Sequence, residues 1–128
     1  MNNFMVHIYP GNLPSSDAIV AWTERRIDHS LRRFAGRITR ADVHFADLNG
    51  PKEGKTDIRC SIEVRINGRT PLVVEHRAES LYDAIDGASR KLRAAVGRAI
   101  DRVAARRQRR ARRGHTPWRA SVHAALGL

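Results

Sequence analysis

Two hydrophobic rhythms run through this chain, one with the period of a helix and one with the period of a strand. The longest periodic stretch is residues 79–113. There Leu81, Ile85, Ala88, Leu92, Ala95, Ala99 and Val103 follow one another at alternating spacings of four and three, which places them on one helix face. Ser80 stands as its N-cap with Asp83 three residues on, and Asp83 and Asp86 lie near the positive end of the helix dipole. These carboxylates read as helix-start residues, not as a catalytic pair. Beyond Val103 the stripe would continue at Arg106 and Arg110, so packing on a core is expected to end near Ala105.

The same reading along the rest of the chain predicts five earlier elements. Residues 4–9 form a β-favouring run closed by Pro10-Gly11-Asn12, a strand and a turn. A helix follows, capped by Ser15 or Ser16, with Val20, Thr23, Ile27, Leu31 and Phe34 on its apolar face and Gly36 at its end. A second strand covers residues 38–45. Residues 46–55 have loop composition and are expected to be mobile. The clearest alternation comes next: Ile58, Cys60, Ile62, Val64 and Ile66 interleave with Asp57, Arg59, Ser61, Glu63 and Arg65, so one sheet face is buried and the other wet. Asn67-Gly68 marks a hairpin. A two-residue turn would put Leu72 and Val74 on the wet face, whereas a three-residue loop sets them beside Val64 and Ile62, and this is the register expected, with a fourth strand over residues 70–77.

The order β-α-β-β-β-α, with one wet sheet face and two amphipathic helices, predicts an α+β fold: a two-layer sandwich of a four-stranded mixed sheet with both helices on one face. The crossover should make the first two strands parallel and right-handed, and the last two an antiparallel hairpin. At 128 residues the chain is long enough for one domain with a real core. The expected division is a domain at 1–105 and a flexible basic tail at 106–128.

Composition narrows the chemistry. The lone Cys60 falls on the apolar phase of a strand, no paired Cys/His spacing marks a metal site, and neither a leader nor a membrane-length apolar run is visible, so the expectation is an unexported, cytoplasmic protein with no metal and no cofactor. The formal net charge is +11, which points to a polyanionic partner. Residues 79–113 hold eleven Lys or Arg against four carboxylates, and so supply +7 of that total. On a helical wheel Lys91, Arg98, Arg102 and Arg109 form a stripe beside the apolar one. On the first helix the polar row reads Trp22, Arg26, His29, Arg33. With the helices side by side, Trp22, Arg26 and Arg33 would share a solvent region with Lys91, Arg98 and Arg102. Trp22 then has two readings: an indole exposed for base stacking, or one packed against the edge of the second helix.

The run Glu79-Ser80-Leu81-Tyr82-Asp83-Ala84-Ile85-Asp86-Gly87 followed by Lys91-Leu92 resembles the ribosome hibernation promoting factor and ribosome-associated inhibitor family. Gly11-Asn12, Leu31 with Phe34, Arg37-Ile38 and Asn67-Gly68 are similar to that family at the matching places, over roughly residues 4–105. The resemblance implies a cytoplasmic bacterial protein that binds ribosomal RNA of the small subunit, in the channel for messenger and transfer RNA, and silences translation in non-growing cells. It carries RNA-binding roles onto Arg26, Arg33, Lys91, Arg98 and Arg102, with Arg93 beside a usual basic position that is Ala94 here. Ser30 stands where a Lys is common. In place of the second dimerising domain of long members there is an Arg-rich run, so the chain is expected to be a short form, monomeric when free and with no membrane partner.

Three function classes were weighed: this ribosome-binding silencer, a general structured-RNA or double-stranded-RNA binding module, and an enzyme. The six histidines show no ligand spacing, and neither a Gly-rich phosphate loop nor a recognisable nucleophile setting is present, so the enzyme class has no support. The arginines between 106 and 113 are expected to fray by mutual repulsion in the free protein and to contact phosphate when bound; a solvated, non-contacting tail is the alternative.

Overall fold

The computed structural model describes residues 4–14, 16–49 and 56–114. Its elements are β1 (Met5–Tyr9), α1 (Asp17–Leu31), a 3₁₀ segment (Arg32–Arg37), β2 (Ile38–Asp47), β3 (Ile58–Ile66), β4 (Leu72–Ala78) and α2 (Leu81–Gly114). The chain divides into two compact units between Val96 and Gly97.

In the first unit the strands lie in the order β1-β2-β3-β4, with β1 parallel to β2 and the other pairs antiparallel. This is the expected α+β sandwich. Val64 pairs with Leu72 and Ile62 with Val74, the register of the three-residue loop. Gly68 supplies the left-handed backbone (φ +76°) that the loop needs. The alternation of β3 holds throughout: Ile58, Cys60, Ile62, Val64 and Ile66 are buried, with Ala41, Val43 and Phe45 of β2 beside them. Ile27 and Leu31 of α1 and Ile85, Ala88, Leu92 and Val96 of α2 complete the core. Thr23, polar at a core position, is satisfied by donating from Oγ1 to the Ile19 carbonyl at 2.8 Å.

Both helices begin at the expected caps. Ser16 Oγ accepts from the Ile19 N–H and Ser80 Oγ from the Asp83 N–H, each at 3.1 Å. The β1–α1 turn is anchored by Asn12, whose side chain donates to the Asp47 carbonyl and accepts from the Asp47 N–H. Gly11 has φ +63°, and a Cβ there would fall 2.3 Å from the Phe45 carbonyl oxygen, so the backbone approach is open only to glycine.

Two details differ from the periodic reading. The core position in the fourth turn of α2 is Val96, while Ala95 is only half-buried: a 3.6-residue helix drifts against a strict seven-residue repeat. The α-helical part of α1 stops at Leu31, and residues up to Arg37 tighten into 3₁₀ geometry. In the second unit α2 runs on to Gly114, past the point near Ala105 where its apolar stripe ends, with Arg106, Arg107, Arg109, Arg110 and Arg112 exposed along it. Residues 50–55 of the loop expected to be mobile, and 115–128 of the tail, lie outside the described residues.

Candidate nucleic-acid interface

The groove between α1 and the 81–96 part of α2 is built around one carboxylate. Asp86 leaves the first turns of α2 toward α1, where Trp22 and Arg26 stand one turn apart. The Trp22 indole Nε1–H donates to Asp86 Oδ1 at 3.3 Å. Arg26 Nε approaches the same oxygen at 2.8 Å. That approach is an ion pair without hydrogen-bond alignment, since the buried Nε–H has no acceptor in line. The Arg26 guanidinium lies over the indole face, 4.7 Å from its centroid, and Arg25 flanks it at 5.7 Å. Tyr82 meets the ring edge-on at 5.2 Å. Trp22 is therefore held between a guanidinium and a tyrosine, and the packed reading of this residue is the one seen.

Around this clamp the groove is cationic. Arg26, His29 and Ser30 of α1 line it with Asp86, Ser89, Arg90 and Arg93 of α2, and a second hollow beside it, lined by Trp22, Arg25, Arg26, Asp28, His29 and Arg32, is formed by α1 and the start of the 3₁₀ segment alone. Arg32 also pairs with Asp28 at 3.5 Å. Ser30 and Ser89 are buried, small enough to let the helices close at that level.

Of the residues predicted for RNA contact, Trp22, Arg26 and Arg93 are brought together here. Arg33 is not. It sits in the 3₁₀ segment with its guanidinium 5.2 Å from the Phe34 ring centroid, and Arg32 lines the hollow along α1. Lys91 is not in it either: its Nζ donates to the Glu75 carbonyl of β4 at 2.9 Å. The expected grouping of Lys91 with Trp22 and Arg26 is thus corrected. An apolar helical stripe has two borders, and the sequence shows which basic residues lie on each but not which border faces the neighbouring helix. The sheet order places α1 beside the Asp86 and Arg93 border, and Lys91 on the β4 flank. Arg98, Arg102 and Arg109 are exposed and belong to the second unit.

Sequence reasoning missed Arg90 as a groove residue and Arg25 and Arg32 along the neighbouring hollow, and gave Asp86 only a helix-start role. The signal for Asp86 was its companion Tyr82 one turn earlier, facing Trp22 and Arg26 at the same spacing on α1. Elsewhere, burial pushes the Cys60 thiol up to about 12, so this cysteine is inert. Among the described residues no cluster of His, Cys, Asp or Glu could hold a metal, and no helix is long and apolar enough to cross a membrane.

The profile of one protein family, described as sigma 54 modulation protein / S30EA ribosomal protein, matches residues 6–113. A solved structure with the same fold is the N-terminal domain of Protein Y from Thermus thermophilus, 28% identical with a TM-score of 0.59, covering 77% of this chain and 98% of that one. A ribosomal subunit interface protein from Coxiella burnetii is similar in fold alone, 14% identical with a TM-score of 0.62, covering 77% of this chain and 99% of that one. A search of curated proteins gave no match. The chain belongs to the sigma 54 modulation / S30EA family, the ribosome-associated group of hibernation factors and inhibitors that its Leu81–Gly87 motif resembles. This is a family of non-enzymatic ribosome-binding factors.

Proposed function

We propose that this chain silences translation by occupying the messenger and transfer RNA channel of the small ribosomal subunit in non-growing bacterial cells. The observation that carries the reading is the cationic groove between α1 and α2, where Arg26, His29, Arg90 and Arg93 come together around Asp86, beside an indole fixed under Arg26. Phosphate contacts of this kind supply affinity and register without reading sequence. A channel already lined with folded ribosomal RNA needs a rigid cationic body more than a base code. The Asp86 clamp provides rigidity, because it holds Trp22 and Arg26 in one geometry before RNA arrives.

In this reading the protein acts as a cytoplasmic monomer and needs no cofactor. The test is sedimentation of purified protein with separated ribosomal subunits in sucrose gradients. Co-migration with the small subunit, lost on adding messenger and transfer RNA, is the expected result. A general structured-RNA binder is the competing function, favoured by the large net charge alone. It would be displaced from subunits by excess duplex RNA at equal nucleotide concentration, and that displacement would reject the channel reading.

A further inference from the structure

The second unit holds seven arginines between positions 98 and 112 and only Asp101 as an acid. All seven are exposed, and none has an ion pair, hydrogen bond or ring contact. Their arrangement around the helix is informative. At about 100° per residue the five from Arg106 to Arg112 run from Arg112 through Arg109 and Arg106 to Arg110 and Arg107 over roughly 220° of the circumference, whereas at the level of Arg98 and Arg102 the middle of that arc is taken by the buried Ala99. The remainder is an arginine-free stripe of Gly97, Ile100, Asp101, Ala104, Gln108 and Ala111. A helix lying on a flat partner uses a face about 100° wide. This arc is about twice that, and like charges one turn apart, such as Arg102, Arg106 and Arg110, oppose the helix they sit on.

We propose that residues 106–114 form a second RNA-binding element, an arginine helix that lies inside an RNA groove between two phosphate walls, with its arginine-free stripe facing outward. Walls on both sides neutralise the whole arc and remove the repulsion along it. Gln108 lies on the outward stripe, so the arc meets the groove through guanidinium groups alone, which pair with phosphate oxygens and, among base edges, with guanine O6 and N7. The major groove of a regular A-form duplex is too deep and narrow for a helix. The occupant is therefore a duplex opened by a bulge or an internal loop. The choice of RNA over DNA rests on the ribosomal reading above.

The test uses the full chain and three duplexes of equal length: RNA with a three-nucleotide bulge, fully paired RNA, and DNA. Affinities are measured across a salt series for wild type, Arg107→Gln, Arg112→Gln and Ala104→Gln. Arg107 and Arg112 stand at opposite ends of the arc. Each substitution should lower the log–log salt slope on bulged RNA by about 0.7–0.9, the loss of one phosphate contact. Ala104→Gln should leave it unchanged, and bulged RNA should bind at least tenfold tighter than either other duplex. A slope lost at only one end of the arc would mean a one-sided contact, and at neither end a solvated helix; either overturns the proposal. So would equal binding of paired RNA or DNA, or displacement of the protein by polyglutamate as readily as by RNA. Subunit sedimentation of the same variants separates the two readings. Slope losses at both ends without subunit binding would leave the groove standing and reject the ribosomal site, and subunit binding with unchanged slopes would do the reverse.

Discussion

A single oxygen, Asp86 Oδ1, organises the groove between α1 and α2. It accepts from the Trp22 indole and balances Arg26, so removing it leaves a half-buried N–H and a half-buried cation without their acceptor. Asp86→Ala should therefore cost about 1–3 kcal/mol of stability by denaturant titration. Asp86→Asn, which keeps a carbonyl oxygen toward Trp22, should recover part of it. Trp22→Ala should lower the melting temperature by loss of packing, an effect of about 2–3 kcal/mol for a ring that is not fully buried. If Trp22→Ala instead left stability unchanged and weakened RNA binding alone, the packed role would be wrong. Cys60 gives a separate check. Its thiol stays protonated in the folded state up to about 12, against an ordinary value of 9.0, so the folded state holds the proton more tightly than the unfolded one. Its contribution to stability is intact below about pH 9 and is lost as pH rises toward 12. Thiol-reactive dye should label native protein slowly, at a rate set by unfolding, and Cys60→Ala should flatten the alkaline limb of the stability profile.

At the scale of elements, α2 and β4 meet through a glycine. A Cβ on Gly87 would lie 2.1 Å from the His76 ring, so Gly87→Ala should destabilise the protein until the imidazole moves aside. In a His76→Ala background the same change should turn favourable, because alanine exceeds glycine in helix propensity by up to about 1 kcal/mol. A double-mutant cycle in thermal unfolding reads that change of sign. Much of this level was legible beforehand. The β3 alternation and side-chain parity were enough to choose the hairpin register, since a slip of one residue would have turned Leu72 and Val74 to water. Both caps were readable because serine placed before a periodic run satisfies a local need. What could not be read was non-local. Nothing in the residues 32–37 marks the change from α to 3₁₀ geometry, which set Arg33 against Phe34 and away from the groove. Nor does a wheel say which border of α2 meets α1, a choice made by strand order, and so Lys91 was grouped with the wrong neighbours.

For the whole molecule the dominant fact is charge, +11 on 128 residues, presented on a folded groove and on an arginine helix. Replacing Arg25, Arg90 and Arg93 together by Ala should lower subunit affinity and flatten its salt dependence by up to about 2–3 in log–log slope. Thermal stability should change little, because all three are exposed and form no ion pair. Equal binding by that variant would place the interface elsewhere. The Lys91 ammonium belongs to a different problem. β4 is the last strand of the sheet, and an outermost strand can template the pairing of a second chain. By seating its charge on the Glu75 carbonyl, Lys91 shields part of that border against strand-by-strand growth. Lys91→Ala should accordingly raise concentration-dependent light scattering during storage or refolding before it alters any affinity for RNA. On this account Lys91 governs how long a concentrated stock of the protein stays dispersed.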